Sequence, residues 1–341
     1  MSRALLTGLG LAIVLLLSIA VAVAFGSAEV ALGDVARAVL YRLTAGAVAA
    51  PGEVADVIVW TLRLPRVVLA ALVGGGLAII GVAMQALVRN PLAEPYILGV
   101  SSGASAGISL FYLGFLPPLL ARALSLPLAA VLGALGAMLV VYLVARQGPR
   151  VSTARLLLAG VAVSAFLAAL TAFVTFASPE PNKIRTVLFL LLGSFSGTTW
   201  SAVALPATGS FVGLGVLWVL ARPLDALLTG EEPAQSLGVP VEALKRTLIV
   251  LSALVTGLLV AASGIIGFVG LIVPHAVRFT VGVSHRRVVP LSFVAGAVFL
   301  VWADLAARTL LPSQELPGGV LTALCGVPFF LVILRRAGPG L

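Results

Sequence analysis

At 341 residues, 61% of them hydrophobic and only 10% charged, with a mean hydropathy of +1.19, the chain lies far outside the range of soluble globular domains. Its net charge of +9 would suit a nucleic-acid partner if the 19 Arg and 2 Lys were clustered among aromatics, but they stand dispersed at the ends of apolar windows and read as topology signals. Composition therefore excludes a soluble domain and a nucleic-acid partner, and places the chain in a bilayer.

Uncharged windows cover residues 4–28, 67–88, 95–121, 123–145, 156–179, 186–221, 247–277, 288–303 and 316–334. Most exceed the roughly 20 residues that carry a helix across a hydrocarbon core of about 30 Å. They are continuously apolar, without the two-residue alternation of an outer-membrane barrel, so the expected fold is an all-α polytopic bundle.

The first window follows Arg3 and ends among small residues near Gly26 and Ser27, as a secretory signal would. Its apolar run is longer than the usual signal core of about 7–15 residues, and it reads as the first span. An outer loop over 27–66 follows, with a short surface helix whose solvated face is Glu29, Asp34, Arg37, Glu53 and Asp56. "RNPLAEP" (89–95) then closes the second span: Pro91 and Pro95 stop or kink helices, Arg89 faces the anionic leaflet, and Glu94 caps the first turn of the next helix. A plain turn between helices would carry the same residue types. "GVSSGASAG" (99–107) opens the third span with residues small enough for close helix contact.

Two windows are longer than one span needs. "GSFSGTTWSA" (193–202) leaves only the part from about Ala202 as a full span, and "ASGIIG" (262–267) turns the chain, giving one span before it and a shorter one ending near Arg278. The nine windows thereby become ten spans. Arg3, Arg335 and Arg336 place both termini in the cytoplasm, which requires an even number; thirteen of the 21 basic residues then lie on that side, and an eight-span arrangement stays open. Between spans, 222–246 has helical character, Gly230 before an acidic pair and a break at Gly238, and reads as two short helices on the cytoplasmic surface.

Isolated residues say less. The single Cys325 excludes an intramolecular disulfide and reads as a small packed hydrophobe. His275 and His285 sit on separate segments, which favours capping or interfacial roles over haem or metal ligation. Asp304 is the one acid expected within a span; buried acids mark proton relays, but Arg308 four residues on supports a helical ion pair.

In order, "RLPR" (63–66), "RNPLAEP" with "LGVSSGA", "LLTGEEPAQSLGV" (227–239), "GFVGLIVPHAVR" (267–278), "HRRVVP" (285–290), "ADLAAR" (303–308) and "ELPGGVLTALCGVPFF" (315–330) resemble the permease subunits of type II ABC importers for iron-siderophores, haem and cobalamin. The resemblance runs over residues 60–335. It implies a single permease domain over 1–341 in the cytoplasmic membrane of a prokaryote, with ten helices and both termini inside. It also implies pairing with a second copy, two ATP-binding cassette subunits that carry ATP and Mg, and an extracytoplasmic substrate-binding protein. This chain has no "GxxxxGK[ST]", so the energy comes from another chain; no catalytic residue, cofactor or metal is expected here.

By resemblance, Leu224, Leu227, Leu228, Gly230, Glu231, Glu232, Leu237 and Gly238 form coupling helices that lie in a groove of the ATPase. Arg63, Arg66 and Arg308 match arginines that receive acidic residues of the binding protein; interfacial snorkelling would need no partner. The path is expected along the fifth span (153–177), "GSFSGTTW" and the last span, with Gly160, Ser164, Thr171, Ser194, Ser196 and Thr199 offering small polar surfaces. Each also suits helix packing. The substrate expected is an iron chelate or a corrinoid. A secondary transporter would rest on Asp304 alone, and a membrane enzyme would need a cluster of His, Asp, Glu or Cys that the sequence does not offer. The alanine-rich "LTAGAVAAPGEVAD" (43–56) departs from the family pattern and bears on how a binding protein seats.

Overall fold

A segment that crosses lipid must satisfy its backbone within itself, and the windows above do so as helices. The computed structural model describes residues 3–26, 30–44, 46–50, 52–148, 150–311 and 314–336. α1 (Arg3–Ala24), α2 (Leu32–Leu43) and α3 (Glu53–Asp56) lead through a π-helical stretch, Val57–Arg63, into α4 (Leu64–Val88). There follow α5 (Val100–Tyr112), α6 (Pro118–Ala123), α7 (Leu126–Ala145), a two-residue ladder of β1 (Arg146–Gln147) with β2 (Arg150–Val151), α8 (Thr153–Phe176) and α9 (Pro181–Leu192). The chain is completed by α10 (Trp200–Val219), α11 (Ala221–Leu228), α12 (Glu231–Ser236), α13 (Val241–Ser263), α14 (Val269–Val281), α15 (His285–Thr309) and α16 (Gly318–Arg336).

Among the described residues, seven helices are long and apolar enough to cross a membrane, and α14 and α16 supply two shorter apolar helices. The two long windows break where expected. α9 ends at Gly193 (φ +70°) and α13 at Gly264 (φ +68°), a backbone region that an L side chain enters only at a cost. One window is corrected: 95–121 is not a single span, since its helix has 13 residues and the stretch before it is a turn folded back among the other helices.

α4 is the axis of the bundle. Every residue from Val73 to Val88 is buried, and α10, α13, α14 and α15 pack around it. Lipid gives helices no hydrophobic reason to associate, so close van der Waals approach must supply the attraction. Gly74 faces Gly296 of α15 and Gly81 faces Gly270 of α14, and a methyl at either α4 position would overlap the partner's backbone carbonyl. These contacts run α15 antiparallel to α4. α1 lies along α15, where the Trp302 indole N–H donates to Ser18 Oγ at 2.9 Å.

Two faces result. One carries α11, α12 and the β1–β2 hairpin. The other carries α2 and α3. There Asp34 pairs with Arg37 at 2.8 Å and Arg42 with Asp56, whose hydrogen bond and charge raise the Arg42 pKa. Glu29, expected on the same solvated face, lies outside the described residues. α8 and α16 leave Phe166, Phe173, Phe176, Leu324 and Leu331 exposed. Cys325 is exposed with them, which corrects its reading as a packed hydrophobe: α16 turns Leu321, Thr322 and Gly326 inward, and Cys325 falls on the other side.

Candidate functional site: the coupling face and the path beside it

α11 and α12 are the two short surface helices anticipated over 222–246. Their residues divide by direction. Leu224 and Leu227, three apart and so on one helical face, are buried against the bundle and anchor the segment, which corrects the expectation that they meet a partner. Leu228, Glu232 and Leu237, the last 72% exposed, point away. Gly230 (φ +121°) makes the bend between the helices, and Gly238 (φ +83°) ends the second.

Glu231 is likewise engaged within the chain. It accepts from Lys245 Nζ at 2.6 Å and pairs with Arg89 at 3.4 Å, while Lys245, 1% exposed, also donates to the Val151 carbonyl at 3.0 Å. One ammonium thus ties α12 and α13 to the hairpin. A second tie was not legible in the sequence: Asp225 accepts from the His285 backbone N–H at 2.8 Å and Ser284 Oγ at 3.3 Å, and its Oδ1 lies 2.7 Å from His285 Nδ1. Sixty residues separate the pair, and neither position carries a local signal. Asp225→Ala is expected to lower stability by about 1–3 kcal/mol, because the His285 N–H loses its acceptor. Asp225→Asn should recover most of it, and thermal unfolding of the two variants checks both.

"RNPLAEP" begins as expected and then departs. Arg89 ends α4 in the left-handed region (φ +54°), and the Asn90 side chain accepts from Leu92 N–H at 2.8 Å. Ala93, Glu94 and Leu98 are then buried among the helices. Glu94 does not cap α5, whose own N-cap is Gly99. Its Oε2 accepts the Phe268 N–H at 3.1 Å, at the start of α14, where the helix dipole favours a carboxylate. Phe268 is held in the left-handed region (φ +66°) with its ring against Gly326 of α16. A cavity of about 310 Å³ lies here, lined by Glu94, Tyr96, Leu192, Phe268, Gly319 and Ala323 among others.

Of the residues expected along a path, Gly160 and Ser164 pack on the turn that supplies Tyr96 to this cavity. Gly160 packs on the Ile97–Leu98 backbone, and Ser164 Oγ reaches the Tyr96 carbonyl at 3.5 Å. Ser194 N–H donates to the Ser263 carbonyl at 2.8 Å and its Oγ accepts from Ser196 N–H at 3.1 Å; Ser196 and Thr199 are exposed. The stretch ends where the Trp200 indole N–H donates to the Trp60 carbonyl at 2.9 Å. Thr171 is not part of it, being buried and bonded to the Leu167 carbonyl of its own helix at 2.8 Å. The histidines stand apart: His275 lies edge-on to Phe279 and Phe329, while His285 holds Asp225.

At the opposite face, Arg63, Arg66 and Arg308 come together, but inside the chain. Arg66 is 9% exposed, pairs with Asp304 at 2.9 Å and bonds both Glu315 oxygens at 2.9 and 3.0 Å. Arg63 donates to the Val23 and Ala24 carbonyls and Arg308 to that of Ala22, closing the C-terminus of α1. The helical pair Asp304–Arg308 exists at 3.6 Å but is secondary to Arg66.

Comparison with known proteins follows this geometry. The sequence profile of the FecCD transport family matches residues 13–336. The chain is 44% identical over 290 residues to the cobalamin import system permease protein BtuC of Halobacterium salinarum, covering 83% of this chain and 74% of that protein. It is 41% identical to the hemin transport system permease protein HmuU of Yersinia pestis, with 82% and 83% covered, and 38% identical to the iron(3+)-hydroxamate import system permease protein FhuB of Bacillus subtilis, with 94% and 80% covered. A solved structure described as an inward-facing metal-chelate type ABC transporter superimposes with a TM-score of 0.82 at 30% identity, covering 96% of this chain and 98% of the other.

Proposed function

Since this chain belongs to the FecCD transport family, we propose that it is the permease of an ATP-driven importer that carries an iron chelate or a corrinoid across the cytoplasmic membrane. The observation that carries this reading is the division of the coupling segment. Buried Leu224 and Leu227, with the Asp225–His285 and Glu231–Lys245 ties, bind α11 and α12 to α15 and α13. Leu228, Glu232 and Leu237 are left facing outward. A piece fixed to the bundle on one side and free on the other is what passing a partner's motion into the membrane requires.

On this reading the coupling face is cytoplasmic, and two copies of the chain together seat two ATPase subunits, which bind ATP and Mg. The exposed apolar side chains of α8 and α16 meet a second copy, and the path runs between the copies beside the Glu94 cavity. A binding protein seats on the opposite face, where one of its carboxylates competes with half-exposed Glu315 for Arg66. The substrate class follows the names of the relatives, which import cobalamin, hemin and iron(3+)-hydroxamate.

The test is uptake into proteoliposomes that hold this chain with an ATPase and binding protein from the same genome, using labelled cobalamin, haem and ferric siderophores with ATP inside. ATP-dependent accumulation of one of them is expected. Accumulation driven by a proton gradient without the ATPase would replace this reading with an ion-coupled secondary transporter.

A further inference from the structure

On the coupling face, at the perimeter of the bundle, a cavity of about 300 Å³ is lined by Trp218, Val219, Ala221, Arg222 and Arg286. Three elements build it. Trp218 and Val219 are the last turn of α10, Arg222 is the second residue of α11, and Arg286 is the second of α15. The end of a membrane-crossing helix sits at headgroup depth, where an indole is at home.

Its chemistry is one-sided. Both arginines are exposed, and among the described residues neither has a carboxylate within ion-pair distance. The Arg286 guanidinium lies over the Trp218 ring at 5.4 Å, a cation–π contact that holds it beside the exposed indole. The nearest acid on α11, Asp225, is already taken by Ser284 and His285. Beside this pair of cations lies apolar surface, with Trp218 47% and Val219 74% exposed. Two unneutralised guanidiniums next to an aliphatic and aromatic flank match a phosphodiester with an acyl chain attached.

We infer that this cavity binds the headgroup of an anionic phospholipid from the leaflet on the coupling face. The phosphodiester bridges Arg222 of α11 to Arg286 of α15, next to the Asp225–His285 tie, and the acyl chains descend along Trp218 and Val219. The lipid is therefore a third link between the coupling segment and the bundle.

Native mass spectrometry of the full chain, offered equal phosphatidylglycerol and phosphatidylcholine, tests it. Two arginines acting on one headgroup correspond to a preference of about thirtyfold for phosphatidylglycerol. The Arg222→Gln/Arg286→Gln double variant should reduce the preference to about parity, while Arg222→Lys/Arg286→Lys keeps most of it. A readout independent of these variants is quenching by brominated lipid. Brominated phosphatidylglycerol should quench a share of the tryptophan emission that Trp218→Phe removes, and brominated phosphatidylcholine should not. The inference fails if the preference survives in the Gln double variant, if both brominated lipids quench alike, or if inorganic phosphate displaces the lipid. It also fails if the Gln variant loses ATPase association with lipid retention unchanged, since the surface would then belong to a protein partner.

Discussion

Leu237→Asp and Glu232→Arg are each expected to reduce substrate-stimulated ATP hydrolysis by the assembled importer to its unstimulated level, with the membrane bundle folded as before. Both side chains are exposed and, among the described residues, neither side chain makes a hydrogen bond or ion pair, so changing them costs the fold little. At a docked surface the same changes are severe. Leu237→Asp carries a charge into an apolar contact, and Glu232→Arg reverses the charge on the first turn of α12, next to the Glu231–Lys245–Arg89 group. A loss of even about 1.4 kcal/mol is tenfold in association, and a desolvated charge costs more. Leu224→Asp is the contrasting variant: Leu224 is buried, so it should lower thermal stability as well as coupling. Normal stimulation in Leu237→Asp, with the ATPase still bound, would show that α12 does not transmit the motion.

Asp304→Ala is expected to destabilise the folded chain by about 3–5 kcal/mol, the range for removing one partner of a buried ion pair. Asp304 is 2% exposed and holds Arg66 through both of its oxygens, at 2.9 and 3.2 Å. Without it, Arg63, Arg66 and Arg308 would share a buried site with Glu315 as the remaining carboxylate. The α4–α15 contact is then strained by like charge about two turns from its Gly74–Gly296 crossing. Asp304→Asn separates two roles. It keeps an acceptor in the same shape and should cost less than the alanine change, and it should leave ATP-driven uptake within about twofold, because the carboxylate here orders arginines. A proton relay through this residue would instead lose transport in Asp304→Asn at unchanged stability. Detergent-resistant thermal unfolding, paired with proteoliposome uptake, measures both arms.

Much of the architecture was readable without coordinates, for local reasons. "ASGIIG" and "GSFSGTTW" interrupt apolar windows with residues that either permit positive φ or offer small side chains, so the breaks at Gly264 and Gly193 follow from the chain itself. The two short surface helices over 222–246 follow likewise from the bend at Gly230 and the stop at Gly238. The direction of their side chains did not. Leu227 and Leu228 are neighbours of the same type, and only the packing of α11 against the bundle turns one in and leaves the other out. Glu94 misled for a related reason: its distance in sequence made α5 the natural helix to cap, yet the turn carries it to α14, 174 residues away.

By itself the sequence determined that the chain is helical, that it crosses a membrane, where its two longest apolar windows break, and which loop carries two short surface helices. These depend on hydropathy summed over a window and on residues that allow or forbid a local backbone, and both are properties of neighbours along the chain. Only the tertiary structure decided which charges meet: Arg66 with Asp304, 238 positions on, Asp225 with His285, Lys245 with Glu231. In a low-dielectric bundle every buried charge needs a partner, but the need does not name one. The choice is made by the crossings of α4, α14 and α15 at their glycines, which set the level at which each side chain arrives.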